Sequence, residues 1–256
     1  MKRSPYRIRP PLPAKGRVSL NGWWALWEQK RRRSRMSVPP FVPPGSLLWL
    51  KAASIAGVIN DPIPNWPDSS GNAQDVIQST VALQPTLQQV TFAGKTFRVA
   101  RFDTADDGMG TTAAIFGSPF SVFLLWRPAD LEVNAAAVCS ANIDWRIGNF
   151  SAQMVCYFEG LAGQAPVNTS DFFLVESRLT PGQNPTWAFL NGVQTSNVVG
   201  GGTSSPGAVA LGSSAISGLP GGCDLAELLI YNRLLSDGEA AGVRAYFQAQ
   251  YNYLKL

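Results

Sequence analysis

From position 46 onward the apolar residues arrive in short runs of four to eight, each closed off by Gly, Pro, Asn or Ser. They are LLWL (47–50), FRVARF (97–102), FSVFLLW (120–126), QMVCYF (153–158), FFLVE (172–176), WAFL (187–190), VALG (209–212) and LAELLIYN (225–232). Runs this short do not make a three- or four-turn helix, but they match strands that cross a core and turn back. Some alternate in polarity and others are apolar throughout, as strands between two packed layers are. Only one stretch is strongly helical. Ser236 opens a capping box with Glu239 at the third helical position, and Val243, Tyr246, Phe247, Tyr251 and Leu254 follow at helical spacing. The expected fold is therefore all-β: a two-sheet antiparallel sandwich with a C-terminal helix packed on it, and GGGTSSPG (200–207) as a loop tip.

The chain before Ser46 is of another kind. Residues 1–45 hold eleven Lys and Arg against Glu28 alone, about +10, whereas residues 46–256 hold ten against sixteen Asp and Glu, about −6. The net charge of +4 averages these opposite halves, so arm and body are read separately. Pro5, Pro10, Pro11 and Pro13 keep the first residues extended. From Asn21, a candidate N-cap, Leu20, Trp23, Trp24 and Trp27 fall close to one helical side, with Arg31, Arg32, Arg33 and Arg35 at the C-terminal end where the helix dipole favours cations. VPPFVPPG (38–45) reads as a stiff polyproline II spacer. The expected organisation is an extended basic N-terminal arm, 1–45, and a sandwich, 46–256.

Cys139, Cys156 and Cys223 are an odd set, expected as free, mostly buried thiols. The N-terminus lacks the apolar core of a signal peptide, and no run approaches the roughly 18 apolar residues of a membrane span. The expectation is a soluble product of the host cytoplasm.

The succession LWLKA (48–52), NWPDSSGNAQD (65–75), QPTL (84–87), GKTFRVARFDTADDGM (94–109), SPFSVFLLWRP (118–128), FLNGV (189–193) and GGCDLAELLIYNRLLSDGEAAGVRAYF (221–247) resembles a laminin-G-like, concanavalin-A-like domain. The likeness runs from about Leu47 to Leu254. It implies a jelly roll of two curved antiparallel sheets, in a superfamily whose members bind glycans, proteins or calcium and some of which hydrolyse polysaccharides.

With no histidine in the chain, Ser-His-Asp and Cys-His catalysis and histidine-containing zinc sites are excluded. A glycosidase needs two carboxylates. Related β-glucanases carry theirs as E-x-D-x-x-E on one strand, a run this chain lacks. Asp224 and Glu227 have an odd spacing that sets them on opposite faces unless a bulge intervenes. The expectation is a protein that is not an enzyme, the alternative being a carboxylate-dependent polysaccharide hydrolase.

Asp103, Asp106 and Asp107 form a D-x-x-D-D turn whose oxygens suit a structural calcium, with Asp224 as a further ligand; turn capping explains them equally. No other cofactor is expected. Trp145 and Arg146 are glycan-binding candidates, since neighbours on a strand face opposite ways and one of them is left outward. Asp68 and Asn72 read as turn formers and Trp66 as an anchor.

For the arm, Lys and Arg beside tryptophan suit nucleic acid or an anionic membrane surface. An acidic body opposes the first, and cations that follow the apolar face rather than oppose it argue against the second. The favoured expectation is an anchor. Trp23, Trp24 and Trp27 would bury against a partner while Arg31, Arg32, Arg33 and Arg35 meet its acidic groups. Together with the missing export signal, this suggests a structural protein of a bacteriophage virion, a fibre, decoration or surface protein present as a homo-oligomer or in many copies. Its sandwich would be displayed for host attachment to surface glycans or proteins.

Overall fold

The computed structural model describes residues 40–254 apart from 104–105, 116, 118, 132–134, 141–144, 151–152, 159–160, 180–186, 197–206 and 213–221. The chain divides into two units, Met1–Ser37 and Val38–Leu256. The first lies outside the described residues.

The second unit contains sixteen strands, one α-helix and two short 3-10 turns among the described residues. The strands are β1 (Leu48–Lys51), β2 (Asn65–Trp66), β3 (Val76–Ile77), β4 (Thr86–Phe92), β5 (Lys95–Phe102), β6 (Gly108–Gly110), β7 (Phe120–Pro128) and β8 (Ala135–Ser140), then β9 (Trp145–Phe150), β10 (Gln153–Phe158), β11 (Leu161–Pro166), β12 (Phe173–Leu179), β13 (Trp187–Leu190), β14 (Val193–Ser196), β15 (Val209–Gly212) and β16 (Cys223–Tyr231). Helix α1 occupies Asp237–Tyr251. Two eight-stranded antiparallel sheets result. Sheet I runs β14-β13-β12-β7-β16-β5-β4, with β1 also on β16; sheet II runs β11-β10-β9-β8-β15-β6-β3-β2. All eight strands read from the sequence are present, and the fold is the expected two-layer β-sandwich with a terminal helix.

Sheet I is covered on both sides. On β7, Phe120, Val122, Leu124 and Trp126 point into the core between the sheets, where Trp66, Trp145, Ile147 and Met154 meet them. Phe123 and Leu125 point the other way, into a second core with Val243, Phe247 and Tyr251 of α1. Two-sided burial accounts for the near-continuous apolar runs of β7 and β16. The inner face of sheet II lines the first core, and its outer face bears Ile77 and Phe150, both exposed, as well as buried Ala136 and Cys139.

Two irregularities coincide on β16. Leu225 lies opposite Trp126 and Glu227 opposite Leu125, so Ala226 is an extra residue, a β-bulge. At the same place the strand changes partner, from β5 along Cys223–Leu225 to β1 along Glu227–Ile230, so the sheet forks. Helix α1 is started by the expected capping box, Ser236 accepting from the Glu239 amide and Glu239 from the Ser236 amide. Arg233 adds a two-pronged bond to the Glu239 carboxylate, at 3.1 and 2.8 Å.

The expected spacer departs from expectation in its second half. The Phe41 amide donates to the Gly242 carbonyl at 3.2 Å, and the Tyr231 hydroxyl donates to the Pro43 carbonyl at 2.9 Å. Residues 41–43 therefore lie along the body rather than standing off it. Proline removes amide donors but leaves carbonyl acceptors, and a glycine on α1 gives the backbone room to approach.

Candidate functional site

On the outer face of sheet II, strand alternation separates the two glycan candidates. Trp145 turns inward, 2 % exposed and edge-on to Phe120 at 5.7 Å between ring centroids. It is a core residue, which removes it from the glycan candidates. Arg146 turns outward. Its register partner on β10 is Tyr157, and its guanidinium carbon sits 4.8 Å from the Tyr157 ring centroid. Such a stack orders a long cation on the outward face of the sheet.

Two positions along β9 stands Gly148, whose side-chain space is taken by the β8 backbone. A Cβ there would lie 1.9 Å from the Ala135 carbonyl oxygen, because β8 closes in at a register shift between Ala136 and Val138. Phe150, a further two positions along and 45 % exposed, closes the other side. A shallow depression lined by Arg146, Gly148, Phe150 and Val155 results. The depression holds only about 10 Å³, so Arg146 and Phe150, four residues and about 13 Å apart along the strand, flank a nearly flat face across which a chain of sugars would lie rather than a pocket that encloses one. Guanidinium donors on one side and an apolar ring on the other are the two contacts sugars use, hydroxyls for the first and C–H faces for the second.

A second set of charged groups lies on the opposite sheet, beneath α1. Because of the bulge, Asp224 and Glu227 share the helix-side face of β16. Asp224 takes Arg101 at 2.7 and 3.0 Å, and also binds Arg127. Glu227, fully buried, accepts from the Trp49 indole at 2.5 Å and from the Tyr246 and Tyr251 hydroxyls at 3.1 and 2.5 Å. Burial pushes its carboxyl above the usual range, against the opposing pull of those donors. Glu176 on β12 is 1 % exposed and meets Arg244 of α1 at 2.5 Å; Arg178 lies 2.9 Å away as an ion contact without hydrogen-bond alignment. Burial raises the Glu176 carboxyl too, with Arg244 and then Arg178 opposing. Asp224 thus ties β16 to β5 and β7, while Glu227 and Glu176 tie the sheet to α1.

The calcium candidates are not gathered into a site. Asp107 is buried and accepts the Asp103 amide at 3.0 Å, a turn contact, while Asp103 and Asp106 are exposed. Asp224 is withdrawn as a ligand, since its flanking guanidinium groups would repel a cation. Among the described residues no group of three Asp, Glu, Cys or His side chains is placed to hold a metal ion. Asp68 accepts from the amides of Trp49, Ser70 and Gln74, and Asn72 donates to the carbonyls of residues 46 and 47, so their loop is stapled to β1. Trp66 is wholly buried, and all three cysteines are buried thiols outside any disulfide. Trp23, Trp24, Trp27, Arg31, Arg32, Arg33 and Arg35 lie outside the described residues. No helix among the described residues is long and apolar enough to cross a membrane.

No protein-family model and no curated protein sequence matches the chain. Solved structures share its fold. A Trypanosoma rangeli sialidase in complex with sialic acid superposes with a TM-score of 0.54 at 13 % identity, covering 93 % of this chain and 40 % of the sialidase. The binding domain of Paraclostridial Mosquitocidal Protein 1 gives 0.55 at 12 %, covering 80 % and 52 %. Domain 4 of AbnA, a GH43 extracellular arabinanase from Geobacillus stearothermophilus, in complex with arabinotriose, gives 0.53 at 15 % and covers 79 % of this chain and 98 % of that domain. The chain thus spans about 40 % to half of the first neighbours' length.

These neighbours correct the expectation that the chain is not an enzyme. Chains named sialidase and arabinofuranosidase share its fold, so a missing E-x-D-x-x-E run does not exclude enzymatic function. The geometric ground for that expectation fails as well, because the Ala226 bulge brings Asp224 and Glu227 to one face.

Proposed function

We propose that the sandwich is a glycan-binding module whose site is the outer face of sheet II. Arg146 donates to sugar hydroxyls and Phe150 offers a ring platform across the Gly148 floor. The observation that carries this reading is the Arg146–Tyr157 stack, a guanidinium ordered on the same outward face as the exposed Phe150 ring. Preorganised groups of this kind lower the ordering cost of binding. The reading is supported by the fold's occurrence in domains described as carbohydrate-bound or receptor-binding, among them one of matching length holding arabinotriose. The test is incubation of the full chain with immobilised polysaccharides. Retention that is lost in Arg146→Ala supports the module, whereas retention unchanged in that variant would remove the site. Oligosaccharides released during the incubation would instead assign the activity to hydrolysis.

We further propose that residues 1–45 tether the module in many copies to other proteins of a bacteriophage particle, through Trp23, Trp24, Trp27 and the arginines at 31–33 and 35. The segregation of about +10 in the arm from about −6 in the body supports a tether with a partner of its own. Removing residues 1–37, which leaves the strap at 41–43 in place, is expected to abolish incorporation; undiminished incorporation would rule the tether out.

A further inference from the structure

A cleft of about 350 Å³ opens where the β4–β5 hairpin, the turn after β1 and the last turn of α1 meet. It lies beside the fork in sheet I, where the first half of β5 is no longer paired to β16. Its walls carry Gln89, Thr96, Phe97, Arg98, Gln250 and Tyr251. The volume is within the range of small-ligand sites.

What marks this cleft is the state of its polar groups. Arg101, Arg127, Arg178, Arg233 and Arg244 all face carboxylates. Arg98, half-buried, donates only one bond, from Nη1 to the Ile55 carbonyl at 3.0 Å, and has no carboxylate partner among the described residues. That bond fixes its stem and leaves its other donors for the cleft. The carboxamides of Gln89 and Gln250 make no hydrogen bond to the described residues, and each offers a donor and an acceptor. The Phe97 ring stands edge-on to Tyr251 at 5.0 Å. The Tyr251 hydroxyl is engaged by Glu227, so only its ring faces the cleft.

A fixed guanidinium lacking an anion, with the exposed amides of Gln89 and Gln250 at the rim, complements one ligand chemistry: a carboxylate with neighbouring hydroxyls on one small ring. We infer that this cleft is a second saccharide site, selective for a carboxylate-bearing sugar unit of the uronic acid type. Arg98 takes the carboxylate with paired N–H donors, and Gln89 and Gln250 take the hydroxyls. It stands on sheet I and uses none of the residues of the sheet II site, so neither site depends on the other.

The experiment is an NMR titration of the full ¹⁵N-labelled chain with glucuronate, glucose and acetate, following the side-chain amides of Gln89 and Gln250. Glucuronate is expected to shift both, with glucose and acetate each at least about tenfold weaker, and Arg98→Ala to weaken glucuronate by about tenfold or more. Gln250→Ala changes an exposed side chain without an internal bond, so it leaves unfolding unchanged and weakens glucuronate several-fold. An equal response to glucose would overturn the carboxylate, an acetate response matching glucuronate would overturn the sugar, and unchanged binding in both variants would overturn the cleft. Arg146→Ala is expected to keep the glucuronate response. Loss there alone would overturn the cleft while leaving the sheet II site standing.

Discussion

Asp224 and Glu227 share one face of β16 although they are three positions apart, because Ala226 between them has no counterpart on β7. The bulge sets two acids on one face of the strand but in unlike surroundings. Asp224 sits between two guanidinium groups, and Glu227 lies among an indole and two phenols under the helix.

That difference predicts an unusual pH response. Burial raises the folded-state carboxyl of Glu227 above its ordinary 4.5. Its stabilising contribution is therefore fully present below about pH 4.5 and is lost as pH rises through the folded value. Glu176 is raised likewise and adds to the same slope. Glu227→Gln is expected to destabilise by about 1–3 kcal/mol at acidic pH, the cost of misaligned buried donors, with the gap to wild type narrowing as pH rises. Urea unfolding from pH 4 to 8 checks this, and parallel curves would contradict it.

Glu239 titrates in the opposite sense. The Arg233 guanidinium, then the Ser236 amide, lower it from 4.5 to about 2. Its contribution is present above pH 4.5 and is lost as pH falls toward 2, so Glu239→Gln is expected to flatten the acid limb of the stability curve. Ser236→Ala removes the reciprocal cap and is expected to cost about 1 kcal/mol at neutral pH, read as a lower midpoint in urea.

Gly148 and Gly110 make a matched pair on sheet II. A Cβ on Gly148 would fall 1.9 Å from the Ala135 carbonyl, and on Gly110 3.2 Å from the Val209 carbonyl. Gly148→Ala must part β8 from β9 and is expected to cost more than about 2 kcal/mol. Gly110→Ala needs a shift of a few tenths of an ångström and is expected to cost under about 1 kcal/mol. Equal costs, measured by chemical denaturation, would contradict the close approach of β8 at Gly148.

Gly242 on α1 is where the strap docks. An added methyl would lie 2.9 Å from Phe41 Cδ1 and 3.3 Å from its carbonyl. Alanine favours the helix by up to about 1 kcal/mol, so Gly242→Ala is expected to leave global stability little changed while displacing the strap. Faster chymotryptic cleavage after Phe41 would show the displacement. An unchanged cleavage rate would mean that the strap does not rest on the helix.

Legibility in the sequence tracks how many faces of each strand are buried. Six of the eight strands of sheet I were legible because α1 covers the face that sheet II does not, and apolar runs such as FSVFLLW and LAELLIY result. On sheet II only β10 and β15 were. β8 is Ala-rich (AAAVCS), β11 contains Gly and Pro (LAGQAP), and β2 and β3 are two residues each. Poor strand formers are ordered there by their neighbours, which propensity does not report.

The site divides in the same way. Alternation alone told that one of Trp145 and Arg146 faces outward, and the structure assigns Arg146. Tyr157 was hidden within QMVCYF, because its pairing with Arg146 depends on the register of the β9–β10 hairpin. The bulge at Ala226 left no local signal either, having neither Gly nor Pro to mark it.

The central claim is tested most directly by calorimetric titration of the full chain with the best-retained neutral oligosaccharide from a panel that includes arabinotriose. Wild type and Arg98→Ala are expected to bind alike, with Arg146→Ala and Tyr157→Ala each weaker by about tenfold or more. Wild-type affinity in Arg146→Ala and Tyr157→Ala would contradict a glycan site on the outer face of sheet II.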